Sequence, residues 1–218
     1  MICGIDESGR GPCVGPLVVA GVLLQDDSDL VNIGVCDSKQ LTPKKREQLA
    51  PMIQKIASQY ELIVMPASDI DDLRQTMTLN ELEVFAYSKI IEKLHPDACY
   101  VDAVDVKEER FGRDILSHLS YKPLIISEHK ADVKYPIVGA ASILAKVTRD
   151  RFVKKIAEEL EPQLSLPLGS GYPSDPLTKQ FLKAWVSQFG SLPPHARVSW
   201  ETCQKLIKNQ KTKRLDDF

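Results

Sequence analysis

The stretch GIDESGRGP, Gly4 to Pro12, sets two adjacent acids between a strand-like apolar start and a Gly-Arg-Gly turn. Acids are poor strand residues and neighbouring negative charges repel, so Asp6 and Glu7 require something outside the chain to hold them. Successive side chains on a regular strand point to opposite faces. Both acids can serve one site only where the strand ends or bulges, and SGRG supplies such an exit. Gly9 and Gly11 also permit positive φ and let the backbone approach a ligand closely, with the Arg10 cation between them. A plain hairpin would explain the glycines alone; the paired acids beside them favour a ligand.

Beyond Pro12 the chain alternates between strand and helix. LVVAGVLL, ELIVMPA, ACYVDAVD and PLIISEHKAD read as four further strands, with the first the most deeply buried. Thr42 and Pro43 are the N-cap and first residue of a helix whose apolar stripe is Leu49, Met52, Ile53 and Ile56, with Pro51 as a kink point. A second helix, LNELEVFAYSKIIEKL, carries Leu82, Phe85, Ala86, Ile90 and Leu94 on one side. A long helix opens near Pro136 and runs to Leu160, followed by the loop EPQLSLPLGSGYPSDP and two more helices. An early meander followed by βα crossovers predicts an α/β chain with a mixed sheet. Residues 1–150 are expected to form the sheet domain and residues 151–218 a helical, loop-rich region with a basic tail.

Three of the strand-like segments finish at acids: Asp6 with Glu7, Asp102, and Asp132. Ends of neighbouring strands in an open α/β sheet meet in space. If these ends coincide, four carboxylates share one site, repel one another and take up protons unless cations compensate. Two Mg²⁺ would cancel their formal charge, and all-oxygen ligation with open water positions is what that ion prefers.

Cations gather in the same parts of the chain. Lys39 stands in a loop before a helix, and helix N-termini favour anions. On the long helix Ser142, Lys146 and Arg149 share a face, opposite the apolar set Val138, Ala141, Ala145, Phe152 and Ile156. His129 and Lys130 lie beside Asp132, and Tyr172 sits in a Gly/Pro-rich loop from which an aromatic can stack on a base or sugar. A solvated helix face and a core-capping tyrosine are the plain alternatives. With a net charge of −2, only local clustering of this kind can signal nucleic acid. No stretch approaches a membrane span and the start lacks a signal-peptide pattern, so a cytosolic protein is expected. The cysteines Cys3, Cys13, Cys36, Cys99 and Cys203 have no metal-binding spacing and read as free thiols, and the four histidines read as structural or surface residues.

The segments GIDESGRGP, DSKQLTP, YVDAVD, HKADVKYPIVGAASILAKVTRDR and GSGYPSDP, in this order, closely resemble the ribonuclease HII family, particularly its archaeal form, over about residues 1–200. Ser8 is a small departure, where that family more often has Ala. The resemblance implies a ribonuclease H-like fold, a five-stranded mixed sheet flanked by helices with a helical C-terminal domain. It implies an endoribonuclease acting on RNA–DNA hybrids and on duplex DNA with embedded ribonucleotides, with two Mg²⁺ or Mn²⁺. Asp6, Glu7, Asp102 and Asp132 match the family's metal-binding acids, Asp102 being favoured over Asp105. Gly9, Arg10 and Gly11 match its junction-reading motif, and Tyr172 its sugar-packing tyrosine. Lys39, Ser142, Lys146 and Arg149 would hold phosphates and contribute affinity rather than selectivity.

The tail TKRLDDF resembles the peptide that docks on the replication sliding clamp, through Leu215 and Phe218, although Thr212 stands where Gln is usual. A frayed terminus or simple phosphate attraction by its lysines are the alternatives. A monomer is the default assembly. Two rival functions share much of this pattern. Another nuclease of the same fold would lack the Gly-Arg-Gly turn, and a non-catalytic nucleic-acid binder would have lost acids.

Overall fold

The computed structural model describes residues 1–35 and 41–216, with side chains described through residue 210. The elements are β1 (Ile2–Ser8), β2 (Leu17–Leu24), α1 (Ser28–Asn32), α2 (Pro43–Ile56), β3 (Gln59–Met65), α3 (Ala67–Leu73), α4 (Leu79–Leu94), β4 (Ala98–Asp102), α5 (Glu108–Ser117), β5 (Leu124–Glu128), α6 (Ala131–Lys134), α7 (Pro136–Leu164), α8 (Pro176–Phe189) and α9 (Glu201–Asp216). Lys39 and Cys36 lie outside the described residues, as do Phe218 and the side chain of Leu215.

The chain divides into two compact units. The first comprises Met1–Ser8, Val18–Val64 and Met77–Thr148; the second comprises Gly9–Leu17, Met65–Thr76 and Arg149–Phe218. Among the described residues five strands form one mixed sheet in the order β3-β2-β1-β4-β5. β1 runs antiparallel to β2 and parallel to β4, which is itself parallel to β5. This is the mixed α/β sheet of a ribonuclease H-like fold. β2 is buried at every position, as its unbroken apolar run requires.

In the first unit α7 packs almost backbone to backbone on β1. A Cβ on Gly4 would stand 2.4 Å from the Ile137 carbonyl carbon and oxygen, so only glycine allows this approach. The surrounding core joins Val18, Ala20 and Val22 to Leu49 and Ile53 of α2 and to Ala141, Leu144 and Ala145 of α7. Helix starts follow local chemistry. Thr42 accepts from the Lys45 N–H with Pro43 next to it, and Thr78 forms a reciprocal capping box with Glu81. The second unit has its own core, in which Phe181, Leu182 and Trp185 meet Ile156, Leu160, Val14 and Cys203.

The structure corrects several expectations. β1 does not stop or bulge at the acids; it stays paired with β2 through Ser8, with Asp6 opposite Ala20 and Glu7 opposite Val19. Both acids nonetheless act on the one Tyr87 hydroxyl, so the strand exit expected from SGRG is not what brings them together. Asp132 does not end a strand, because β5 finishes at Glu128 and a left-handed Lys130 (φ 57°) turns the chain into α6. α7 continues four residues past Leu160 and through Pro162, its end held by the Ser165 N–H on the Glu161 carbonyl and the Leu168 N–H on the Glu161 carboxylate. Met52, Phe85 and Phe152 are exposed rather than buried. Ala50 takes the core position in place of Met52, while Lys89 and Lys155 each lay an ammonium over the ring one turn earlier, on Phe85 and Phe152. The short helices α1, α3 and α5 have no counterpart in the periodicity reading.

Cys3, Cys13, Cys99 and Cys203 are buried free thiols. The histidines make structural contacts: His95 stacks on Tyr121, His118 ends α5, His129 meets the Ala103 carbonyl, and His195 meets Glu159. Among the described residues no helix is long and apolar enough to cross a membrane.

Candidate active site

β1 and β4 are parallel neighbours in register through Ile5 and Val101, so the next residues on each strand, Asp6 and Asp102, come side by side. Glu7 follows Asp6, and its backbone N–H donates to Asp6 Oδ1 at 2.8 Å. From α4 the buried Tyr87 hydroxyl donates to Glu7 Oε2 at 2.8 Å and lies 3.5 Å from the Asp102 carbonyl oxygen. The Asp102 carboxylate accepts the Ala131 N–H at 2.7 Å, which ties β4 to the start of α6 and to the buried Asp132. Two separate anchors thus hold these acids: the Tyr87 hydroxyl on Glu7, and the Ala131 N–H on Asp102, next in the chain to Asp132.

Asp6 is buried, and burial, then the negative charge of Glu7, pushes its carboxyl well above the usual carboxylate range. The nearby Lys146 cation and the Ser142 hydroxyl pull in the opposite direction. Both come from α7, where Lys146 Nζ donates to Ser142 Oγ and Ser142 is fully buried. That part of the predicted polar stripe is therefore not a solvated face. Burial also pushes the Tyr87 hydroxyl far up, reinforced by Glu7, Asp6 and Asp102, so it remains a proton donor at any ordinary pH. Asp105 has a different task. It accepts from the Lys107 N–H and from Arg110 and Asn80, fixing the entry to α5.

Among the described residues no group of three or more His, Cys, Asp or Glu side chains is arranged to hold a metal ion as it stands. Asp6, Glu7 and Asp102 all act electrostatically on the Tyr87 hydroxyl, and Asp132 follows the Ala131 whose N–H Asp102 holds. The donor chemistry nevertheless fits hard divalent cations. It is all oxygen, and the raised Asp6 carboxyl marks a place where added positive charge would be favourable.

The second unit holds the other predicted residues. Gly9 has φ +96°, and a Cβ there would lie 2.4 Å from the Pro16 carbonyl oxygen and 2.8 Å from Arg149 Cδ. Gly11 is exposed, with Tyr172 near enough that a Cβ would lie 3.6 Å from its ring. Arg149 is not a surface cation. It is buried, donates to the Ser170 carbonyl at 2.9 Å and stands 4.9 Å from the centre of the Tyr172 ring. The loop bearing Tyr172 is secured by Asp175, which accepts from the Ser170 N–H and hydroxyl and from the Leu177 N–H. Thr178 adds bonds to Leu168 and Gly171, and the Gly171 carbonyl accepts the Cys13 N–H at 2.9 Å.

Two buried residues of the structure, Tyr87 of this site and Arg197, which bonds the Gly9, Arg10 and Gly15 carbonyls, carry no signal in the sequence. Tyr87 lies within an apolar helix stripe, where an aromatic reads as core. Arg197 sits alone in PHARVSW, and no local spacing marks an arginine for complete burial.

A sequence model of the Ribonuclease HII family matches residues 3–203. Ribonuclease HII of Pyrococcus abyssi is 44% identical over 223 residues, covering 100% of this chain and 96% of that protein. The crystal structure of ribonuclease H2 from Pyrococcus horikoshii superposes with a TM-score of 0.88 at 41% identity, over 96% of this chain and 98% of the other. The enzyme in the PCNA:RNase HII complex from Archaeoglobus fulgidus gives 0.86 at 41% identity over 100% of both chains. Matched in this way over nearly its whole length, the chain belongs to the ribonuclease HII family, metal-dependent endoribonucleases that cleave the RNA strand of RNA–DNA hybrids.

Proposed function

We propose that this nuclease, beyond cutting the RNA strand of hybrids, incises duplex DNA on the 5′ side of embedded ribonucleotides, leaving 3′-OH and 5′-phosphate ends. The observation that supports the reading is buried Asp6 beside Glu7 and Asp102, the Glu7 carboxylate held by Tyr87 and that of Asp102 by the Ala131 N–H, with all three acids acting electrostatically on the Tyr87 hydroxyl. In this reading Asp6, Glu7, Asp102 and Asp132 hold two Mg²⁺ or Mn²⁺. Such ions, when bound, acidify a water and neutralise charge developing on the leaving oxygen.

The residues of the chain orient these acids. Tyr87 fixes the Glu7 carboxylate, the Ala131 N–H fixes Asp102, and Lys146 with Ser142 steadies Asp6. Lys146 and Lys39, the latter outside the described residues, add cations for substrate phosphates. Gly9, Arg10 and Gly11 follow the paired acids directly in the chain and are assigned to read the ribose 2′-OH, the atom that separates RNA from DNA, through backbone groups. Tyr172 packs on the neighbouring sugar, and Arg149, beneath its ring, holds it in place. Functionally, residues 1–150 carry the catalytic acids together with the Gly9–Gly11 turn, Lys39 and Lys146 that meet substrate and the Arg149 that supports Tyr172, and residues 151–218 add the Tyr172 loop, with the enzyme acting as a monomer.

The test is a DNA duplex with one ribonucleotide, its cut position mapped, beside an all-DNA duplex. A single cut 5′ of the ribonucleotide in Mg²⁺ or Mn²⁺ is expected, with Asp6→Asn abolishing cleavage but retaining binding. Cutting of all-DNA at a similar rate, or normal cutting by Asp6→Asn, would refute the reading.

The tail supports a sliding-clamp partner. TKRLDDF resembles a clamp-docking peptide, and the A. fulgidus relative was captured with PCNA. Deleting residues 215–218 should abolish clamp binding; unchanged affinity would retire the idea.

A further inference from the structure

Arg197 is the largest fully buried side chain among the described residues. Its guanidinium donates Nε–H to the Gly15 carbonyl at 3.0 Å, an Nη1–H to the Arg10 carbonyl at 3.1 Å and an Nη2–H to the Gly9 carbonyl at 2.5 Å. Its backbone is anchored against the same segment. The Arg197 N–H bonds the Cys13 carbonyl at 2.8 Å, the Gly15 N–H bonds the His195 carbonyl at 2.9 Å, and Val14 bridges Ala196. Trp200 covers the guanidinium at 4.7 Å. Burying a guanidinium is costly unless its donors are used, and here the donors converge on carbonyls of one turn.

A trans peptide unit points its C=O and N–H in opposite directions. Drawing the Gly9 carbonyl toward Arg197 therefore turns the Arg10 N–H away from it. Drawing in the Arg10 carbonyl does the same to the Gly11 N–H, at a residue that is itself exposed. Two glycines in a row of three would otherwise leave these peptide planes free to rotate.

We propose that Arg197 is the positioning residue of the Gly9–Gly11 turn, clamping two successive peptide planes so that the Arg10 and Gly11 N–H groups face outward as a fixed donor pair for a ribose oxygen. This rests on the reading of that turn as the ribose reader. A single embedded ribonucleotide offers one 2′-OH in one register, whereas a uniform hybrid offers one at every register. Loss of the clamp should therefore damage cleavage of the first substrate more than the second.

The test compares wild type with Arg197→Lys, which keeps the charge but loses the fork. Both are assayed on a duplex with one ribonucleotide and on a uniform RNA–DNA hybrid, with kcat and KM separated. Arg197→Lys is expected to lose about tenfold or more in kcat on the single-ribonucleotide duplex, with a far smaller loss on the hybrid. Equal losses on both substrates would overturn the proposal. Failure of the wild type to cut the single-ribonucleotide duplex would instead sink the underlying reading. Should the variant not fold, amide relaxation on the wild-type protein decides the matter. Arg10 and Gly11 should show order parameters near 0.85, and values below about 0.6 would contradict a clamp.

Discussion

Removing one oxygen, by Tyr87→Phe, should affect stability and metal use together. The hydroxyl is buried and donates to Glu7 at 2.8 Å, while its 3.5 Å approach to the Asp102 carbonyl is too long to add much. The ring itself should stay put, because it packs edge-on against Phe111 with centroids 5.2 Å apart, a contact that phenylalanine reproduces. The loss is then a hydrogen bond to a charged acceptor, about 1.5–3 kcal/mol. For a chain of this size that corresponds to a fall in melting temperature of about 3–12 °C. The same deletion frees the Glu7 carboxylate to rotate, and loss of such a supporting contact typically costs about 10–100-fold in metal affinity. Thermal melts in chelator measure the first effect, and the Mn²⁺ concentration giving half-maximal cleavage measures the second. A variant with wild-type melting temperature and unchanged Mn²⁺ dependence would refute the role given to this hydroxyl.

Other perturbations separate the fold from the site. Gly4→Ala would press a methyl to 2.4 Å from the α7 backbone, costing about 3 kcal/mol or more and lowering the melting temperature sharply; near wild-type melting would contradict the packing described. Asp105 is held below the usual carboxylate range by the Lys107 N–H and then by Arg110, so its stabilisation is present above the ordinary carboxylate pKa and is lost as pH falls through the depressed one. Asp105→Asn should accordingly be less stable than wild type at neutral pH, with the two melting curves converging in strong acid; a gap that persists there would count against the assignment. Asp175→Ala removes the α8 cap and the anchor of Ser170, at a cost of about 1 kcal/mol, and should raise KM through the Tyr172 loop with little change in kcat.

Much of this was legible in the sequence where the signal is local. Thr42-Pro43 marks a helix start because capping and fixed φ act within one turn, and GIDESGRGP points to a candidate site because acids and glycines are both unusual in a plain strand. Asp132 is assigned to the site by the sequence, but its setting is not legible there, since the left-handed Lys130 that starts α6 leaves no period to read. Tyr87 and Arg197 were hidden for opposite reasons. A tyrosine in an apolar stripe passes for core, and an arginine in a loop passes for surface. Only tertiary placement reveals that the first shows its hydroxyl to Glu7 and that the second spends its donors on carbonyls of Gly9, Arg10 and Gly15. Arg149 shows the same limit, because helical spacing gives a face but not whether water or a tyrosine ring covers it.

The central claim is that Asp6 is buried among like charges at a cost that divalent cations relieve. It is tested most directly by melting wild type and Asp6→Asn in chelator and in saturating Mn²⁺. The burial and the Glu7 charge that raise the Asp6 carboxyl imply that neutralising it stabilises the metal-free protein. Asp6→Asn should melt above wild type in chelator, and Mn²⁺ should raise the wild-type melting temperature far more than that of the variant. A variant that melts below wild type in chelator and gains as much from Mn²⁺ would contradict the account.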